Sequence, residues 1–193
     1  GMWSISSGMT LYSYGNIVWD KATLDSRLDI YIVGANTVGL ICDESWETYK
    51  TLYIRAADAS ADLTLGCVTG RFYAYFYGVS AERKMTIREY DDTRNKSGAI
   101  LMTWSSASSS DYRYHTVNSF YYCDFEAPNK YFHCSGIYYC SGTLGELFGY
   151  NNNYQYSDLY VTGSIGSVYT IDRGGFVGSI ITVGGRIYRE NYT

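Results

Sequence analysis

The chain has 193 residues, 46% of them hydrophobic, and a formal net charge of −4. This length and hydrophobic content predict a single folded domain over residues 1–193 and exclude a disordered chain. Its charges are dispersed and no apolar window is long enough to span a bilayer as a helix, so we expect neither nucleic-acid binding nor membrane insertion.

Strand patterns begin near the start of the chain and are separated by short turns. Residues 9–14 alternate between polar and apolar, and Leu28, Ile30 and Ile32 fall on one face of a strand because side chains alternate. Similar patterns occupy residues 17–19, 37–42, 52–55 and 63–68. The polar segment 43–51 predicts a short helical turn or a loop.

Three consecutive segments predict an antiparallel meander. Residues 71–77 (RFYAYFY) are rich in residues that favour strands, and residues 84–90 and 99–104 continue the pattern. The connections at 78–83 and 91–98 have the length of a hairpin loop or slightly more. We therefore expect these segments to pair with one another.

The stretch 105–160 contains 11 of the 23 tyrosines, mixed with serine, glycine and asparagine. Its pattern predicts strands at 112–118, 119–125, 130–134 and 137–140. A long loop is predicted at 142–156, with a helical turn at 144–148. Strand patterns return at 159–161, 167–171, 176–183 and 186–188, between glycines that mark turns.

Short strands, frequent turns and a single proline predict an all-β domain. The first choice is an antiparallel two-sheet sandwich of jelly-roll or immunoglobulin-like topology. The alternative is a right-handed β-solenoid, since segments such as 62–67 and 120–125 suit its strands. No fixed period is evident in the sequence, and this favours the sandwich.

The cysteines and histidines do not predict a metal or cofactor site. Cys123, His133, Cys134 and Cys140 lie in apolar strand patterns, where the adjacent His133 and Cys134 point to opposite faces. A nucleophilic pair would require Cys134 or Cys140 to meet His115, and nothing in the spacing indicates this. Buried thiols are the simpler interpretation, since five irregularly spaced cysteines form no disulfide framework.

Acidic residues offer two further interpretations. A glycosidase needs two convergent carboxylates, and the candidates are Asp111, Asp124, Glu126, Glu146 and Asp158. Because any chain with 19 acids contains such candidates, solvated charges are the simpler interpretation and no catalytic residue is predicted. The loop with Asp91, Asp92 and Asn95 lacks the ordered spacing of a calcium motif and predicts a polar hairpin tip.

Residues 149–156 (GYNNNYQY) predict a binding loop. The segment has no aliphatic residue, so we expect its tyrosine and asparagine side chains to be exposed or in contact with a ligand. The predicted ligand-binding residues are Tyr150, Asn151, Asn152, Asn153, Tyr154 and Tyr156, with Tyr112, Tyr114, Tyr138 and Tyr139 as neighbours. Such side chains suit sugar rings and protein epitopes. The tyrosines of 71–77 are instead predicted to pack at a core edge or subunit interface.

The segment GFVGSIITVGGRIY at 175–188 and the Gly/Tyr/Ser-rich composition resemble a phage tail or receptor-binding module. Residues 105–160 also resemble the output of retroelements that randomise asparagine codons, which yields Tyr, Ser, Asn, Asp, His, Cys and Gly. The C-type-lectin pattern common in that group is absent from the sequence. The resemblance implies adhesion to a cell-surface glycan or protein, as a homotrimer, and carries over no individual residue.

The sequence therefore predicts a non-enzymatic recognition domain on a virion or cell surface. The start of the chain has no charged segment followed by an apolar one, so no signal peptide is predicted. One alternative is a secreted carbohydrate-active enzyme or its accessory module. The other is a structural virion protein whose aromatic residues lie in subunit contacts.

Overall fold

The chain forms two β-sheets in which every described strand pair is parallel. This computed structural model describes residues 3–5, 8–24, 27–42, 50–69, 72–89, 99–101, 118–134, 136–149, 153–167 and 176–189. Within these ranges there are strands and turns but no helix, which confirms the all-β class.

The smaller sheet has eight strands in the order β2-β4-β6-β8-β11-β13-β15-β18. Their bounds are β2 Met9–Ser13, β4 Leu28–Ile32, β6 Lys50–Ala56, β8 Phe72–Tyr77, β11 Asn118–Tyr121, β13 Gly136–Tyr138, β15 Asn153–Gln155 and β18 Phe176–Val177.

The larger sheet has twelve strands, nine of which follow the order β1-β3-β5-β7-β10-β12-β14-β16-β19, while β9, β17 and β20 pair beside this path. Their bounds are β1 Trp3–Ile5, β3 Ile17–Leu24, β5 Ala35–Cys42, β7 Asp62–Thr69, β9 Met85–Glu89, β10 Ala99–Leu101, β12 Cys123–His133, β14 Ser141–Gly149, β16 Asp158–Val161, β17 Ile165–Ser167, β19 Ile180–Val183 and β20 Ile187–Arg189.

The predicted antiparallel sandwich is wrong in both its jelly-roll and its immunoglobulin-like form. Short connections suggest hairpins when consecutive strands pair, but from β1 to β9 consecutive strands lie in different sheets. Each strand pairs with the next strand of its own sheet, and the strand between them serves as the crossover that parallel pairing requires. The predicted meander is wrong for the same reason: β8 and β9 lie in different sheets, and β10 pairs in parallel with β7 and β12.

The alternative prediction, a right-handed β-solenoid, is not shown by these pairings. They define two parallel sheets, and the distance in sequence between paired residues varies along the chain. It is short where Met9 pairs with Leu28 and much longer where Ala74 pairs with Asn118. Locally, however, the distance is constant, since Gly136 lies midway in sequence between its two partners, Ser119 and Asn153. The prediction that the sequence has no fixed period does not hold for this part of the chain.

The segment predicted as a long loop at 142–156 is largely strand. Residues 141–149 form β14, which pairs with β12 and β16, and residues 153–155 form β15. The predicted helical turn at 144–148 is therefore wrong. Leu144, Leu147 and Phe148 are buried, so this part of the chain serves the core.

The core lies between the two sheets. Phe120 of β11 meets Phe125 and Phe132 of β12 edge to face, with ring centroids 5.1 and 5.9 Å apart. Such pairs contribute about 0.5–1.5 kcal/mol each beyond the burial of their area. On the eight-stranded sheet the inward residues pair across neighbouring strands as one inner row: Leu11, Ile30, Ile54, Phe76, Phe120, Ile137, Tyr154 and Phe176.

Candidate binding surface

Aromatic residues dominate the outer face of the eight-stranded sheet. Because side chains alternate, the residue after each inner-row member points away from the core. These outward residues also pair from strand to strand, and we name them the outer row: Tyr12, Tyr31, Arg55, Tyr77, Tyr121, Tyr138, Gln155 and Val177. At about 4.8 Å per strand, the row is about 34 Å long.

Three neighbouring tyrosines of the outer row stack on one another. The ring centroids of Tyr77 and Tyr121 are 4.7 Å apart, and those of Tyr121 and Tyr138 are 4.6 Å apart, both at an interplanar angle of 9°. We name Tyr77, Tyr121 and Tyr138 the face ladder. Tyr121 has a ring neighbour on both sides, so its faces are covered and its edge is what the surface presents. Stacking fixes these rings in place before any ligand arrives.

Charged side chains on this face are confined to one end of the face ladder. The guanidinium of Arg55 lies 4.5 Å from the ring centroid of Tyr53 and 4.6 Å from that of Tyr77. Asp29 accepts hydrogen bonds from Arg27 at 2.5 Å and from Arg55 at 3.3 Å. These bonds, with that from Arg27 the largest cause, lower the pKa of Asp29. The cluster is therefore a paired set of charges with one excess positive charge.

From β8 to β15 the outer face is uncharged among the described residues. Tyr121 contacts the hydroxyl of Ser119, and burial, followed by the neighbouring Tyr138 and Tyr77, raises the pKa of Tyr121 to about 12. Burial also raises the pKa of Tyr138, whose hydroxyl is hydrogen-bonded to Asn153. Asn153 in turn accepts a hydrogen bond of 3.1 Å from the amide of Gln155. The face therefore offers neutral phenols and amides.

A second aromatic stack lies where the chain passes from the smaller sheet to the larger one. Tyr122, Tyr139 and Tyr156 each follow an outer-row residue, and each has a positive φ, of 57°, 56° and 51°. Their ring centroids are 5.4 Å apart for Tyr122 and Tyr139 and 4.9 Å apart for Tyr139 and Tyr156. We name them the corner ladder. Side chains rarely adopt this backbone conformation, so the stack forms at a cost in backbone strain.

Cysteine and serine side chains next to the corner ladder, all but Ser179 buried, accept hydrogen bonds from backbone amides. The amide of Cys123 donates to the sulfur of Cys140 at 3.4 Å, and the amide of Cys140 donates to the hydroxyl of Ser157 at 3.0 Å. The amide of Ser157 donates to the hydroxyl of Ser179 at 3.1 Å. Each of these side chains also donates to the carbonyl two residues before it, such as Tyr138 for Cys140. These side chains therefore accept hydrogen bonds from the backbone amides of the residues that directly follow the three positive-φ tyrosines. Such amides need a partner because the turn directs them away from the neighbouring strand.

The structure divides the predicted binding residues into four groups. Tyr138 and Asn153 lie on the outer face of the smaller sheet, and Tyr139 and Tyr156 belong to the corner ladder. Tyr154 is only 1% exposed, so its predicted exposure is wrong: it occupies the inner row between the outward Asn153 and Gln155. The remaining predictions, Tyr150, Asn151, Asn152, Tyr112 and Tyr114, lie outside the described residues.

Most of the aromatic surface is not among the predicted binding residues. The predicted site omits Tyr121 and Tyr122, and the prediction for Tyr75 and Tyr77 is a core edge or a subunit interface. A signal was present in the sequence: the triplet Tyr-Tyr-Cys occurs at 121–123 and again at 138–140. The two copies are separated by one local period, and this places both tyrosine pairs side by side on neighbouring strands.

The four described candidate acids, Asp124, Glu126, Glu146 and Asp158, lie on the larger sheet. Glu126 pairs with Arg88, and Asp124 accepts a hydrogen bond of 2.6 Å from Ser141, which accepts one of 3.1 Å from Lys84. Asp124 and Asp158 occupy the strands on either side of Ser141. Glu146 is exposed, and Asp111 lies outside the described residues.

Cys123, Cys134 and Cys140 are free and buried. Burial is the main cause that raises the pKa values of the Cys123 and Cys134 thiols. His115 and the calcium-loop residues 91–95 lie outside the described ranges, and the side chain of His133 is not described. No group of three or more His, Cys, Asp or Glu side chains within those ranges is placed to hold a metal ion.

No protein-family model, curated protein or solved structure matches the chain. The described residues contain no helix long and apolar enough to cross a membrane. The two tyrosine ladders and their surroundings are therefore the basis on which we propose a function.

Proposed function

We propose that the chain is a non-enzymatic recognition module that binds a cell-surface glycan or protein through the outer face of its eight-stranded sheet. The observation that carries this proposal is the outer row, which aligns tyrosine, arginine and glutamine side chains across neighbouring strands. Tyrosine provides a large contact area with both apolar and hydrogen-bonding parts.

Rigidity is the second support for the proposal. Binding is weakened when flexible side chains must be ordered, at about 0.5–1.5 kcal/mol for each immobilised side chain. Tyr121 is already held between Tyr77 and Tyr138, and the ring of Tyr53 contacts two guanidinium groups, those of Arg27 and Arg55. The side chains on this face are therefore ordered before a ligand binds.

The corner ladder extends the same surface around one edge. Tyr139 is 38% exposed and Tyr156 is 51% exposed, and each directly follows a residue of the outer row. A ligand wider than the outer row would contact them. On the basis of the resemblance to phage tail and receptor-binding modules, we place the chain on a virion or cell surface, as a homotrimer.

The test is retention of the purified protein on arrayed glycans and bacterial surface extracts. The site variant carries Tyr121→Ser and Tyr138→Ser together. Its matched control is Tyr160→Ser, which removes a tyrosine that is 46% exposed on the outer face of the other sheet. Both variants are first compared with the wild-type protein by thermal unfolding, so that lost binding can be separated from lost folding.

We expect the wild-type and Tyr160→Ser proteins to bind the same ligands and the double variant to lose them while still folded. Binding that survives the double variant, or no binding by the wild-type protein, would refute the proposal. Loss only in Tyr160→Ser would move the site to the twelve-stranded sheet.

A further inference from the structure

We infer that the ligand of this surface is a linear, uncharged polysaccharide that lies along the outer row, across the strands. The inference rests on the proposed function and specifies its ligand. Three features of the surface carry it: the spacing of the rings, the way the rings are presented, and the distribution of charge.

The spacing of the face ladder suits a polymer of matching repeat. Tyr77, Tyr121 and Tyr138 present one ring per strand, with centroids 4.7 and 4.6 Å apart. An extended chain of equatorially linked pyranose units repeats at about 5 Å per sugar, slightly more than one strand spacing of about 4.8 Å. Because each sugar is rotated by about half a turn relative to the one before it, every second sugar meets a ring in the same orientation. The side chains on one face of an extended peptide repeat at about 6.6 Å and do not keep this register.

The rings are presented by their edges. Both faces of Tyr121 are covered, so a ligand meets ring edges, phenol hydroxyls and the amides of Asn153 and Gln155. Polyproline peptides dock in grooves between aromatic rings, and the stacked rings of the face ladder leave no such groove. Sugar hydroxyls, which both donate and accept, suit a row of phenols and amides.

The charge distribution indicates an uncharged ligand. From β8 to β15 the described outward residues are Tyr73, Tyr75, Tyr77, Ser119, Tyr121, Gly136, Tyr138, Asn153 and Gln155, and none carries a charge at neutral pH. A charged group placed there would lose hydration without gaining a counter-ion. The charged side chains of the described face, Arg27, Asp29 and Arg55, lie to one side and pair with one another.

The inference is tested by binding affinity as a function of chain length. Cello-oligosaccharides and chito-oligosaccharides, from the dimer to the hexamer, are titrated into the wild-type protein by calorimetry. Oligomannuronates of the same lengths, whose units are also linked equatorially, serve as charged ligands. Two variants, Tyr77→Ser and Gln155→Ala, shorten the surface at opposite ends of the uncharged segment, and Tyr160→Ser is the control.

We expect affinity for at least one neutral series to rise about threefold to tenfold with each added unit until the ligand spans the uncharged segment. Each end variant should lower the affinity for the hexamer by about tenfold and the affinity for the dimer by less than about threefold, because a dimer can still bind to the remaining strands. Oligomannuronates should bind at least about tenfold more weakly than the neutral ligand of equal length.

Three outcomes would overturn the inference. They are an affinity that does not rise beyond the dimer, oligomannuronates that bind as well as neutral chains, and no binding by either neutral series. If surface extracts still bind through Tyr121 and Tyr138 in any of these cases, the recognition function stands and only its ligand class is wrong.

Discussion

The face ladder and the corner ladder stack the same side chain at nearly the same spacing on two different backbones. Tyr121 belongs to the face ladder and lies in a strand, where alternation points it outward without strain. Tyr122 follows it in the corner ladder with a φ of 57°, a conformation that costs a side chain about 1–2 kcal/mol. Adjacent tyrosines thus differ in how the backbone holds them.

This difference in backbone strain indicates a structural role for the corner ladder and a binding role for the face ladder. Gly178, with a φ of 58°, follows Val177 in the same way that Tyr156 follows Gln155, so it occupies the equivalent corner position. Glycine is the residue expected where φ is positive. Three tyrosines occupy the equivalent corners despite the strain, and their stacking and the cysteine and serine side chains beneath hold them there. The face ladder needs no such support, and its rings are half-buried and flanked by neutral polar groups. We therefore assign recognition first to the face.

The largest expected effect comes from breaking the corner at Gly78. A Cβ atom at this position would lie 1.8 Å from the carbonyl oxygen of Tyr122, so the backbone of the corner would have to move. We expect Gly78→Ala to lower the free energy of unfolding by about 3 kcal/mol or more. The measurement is chemical denaturation, with Gly15→Ala as the control, because nothing lies within 4 Å of a Cβ there. Equal stability of the two variants would contradict the described corner.

The next effect tests the support beneath the corner ladder. Cys140→Ala removes the sulfur that accepts from the amide of Cys123, and an unpartnered buried amide costs about 1–3 kcal/mol. Cys140→Ser supplies the hydroxyl that Ser157 provides one local period later in the chain, so we expect it to lose less stability than Cys140→Ala. Denaturation of both variants measures the difference. A serine variant less stable than the alanine variant would show that the thiol only fills space.

A matched glycine pair tests the backbone difference itself. Tyr121→Gly and Tyr139→Gly each remove a ring that has two ring neighbours, but only Tyr139 has a positive φ that glycine relieves. We expect Tyr121→Gly to cost about 1–2 kcal/mol more than Tyr139→Gly. The corresponding alanine variants, which relieve no strain, should differ less. Equal costs for the two glycine variants would mean that the corner tyrosines carry no strain.

A smaller effect of opposite sign is expected at Tyr154, which belongs to the inner row and points into the core. Its hydroxyl is buried and has no hydrogen-bond partner among the described residues. We expect Tyr154→Phe to raise the free energy of unfolding by about 1 kcal/mol, because the unsatisfied group is removed. The control is Tyr12→Phe, whose hydroxyl is exposed and whose loss should change little. Destabilisation by Tyr154→Phe would indicate that the hydroxyl has a partner.

The smallest effect concerns alkaline pH. Tyr121 has a pKa of about 12, above the value of about 10 expected when the chain is unfolded. The folded state therefore keeps a proton that the unfolded state loses, so the contribution to stability is complete below about pH 10 and is lost as the pH rises towards 12. Absorbance titration should show that Tyr121→Phe removes a late-titrating phenol. An unchanged late phase would place the high pKa elsewhere.

Residue alternation in the sequence was sufficient to predict several strands but not their partners. The pattern of Phe120 and Tyr121 identifies a strand with one inward and one outward side chain, and the structure has that strand. Whether it pairs with an antiparallel neighbour or with a parallel strand one local period later depends on which sheet the next strand joins. Alternation in one strand carries no information about that choice.

The candidate site was predictable only in part, for a related reason. Asn153 and Tyr138 could be found by composition, because polar and aromatic residues cluster there. Tyr154 was misplaced because the segment has no aliphatic residue, yet alternation in a strand still requires one inward side chain between Asn153 and Gln155. Arg55 and Tyr53 lie far away in sequence and join the surface only through strand pairing.

The most direct test of the recognition surface is hydroxyl-radical footprinting of the wild-type protein, with and without bacterial surface extract, read by mass spectrometry. The account predicts that the extract lowers the oxidation of Tyr77, Tyr121 and Tyr138 while Tyr160 stays as reactive as before. Protection of Tyr160 with the face ladder unchanged, or no protection at all, would contradict the claim that the outer face of the eight-stranded sheet is where this protein binds.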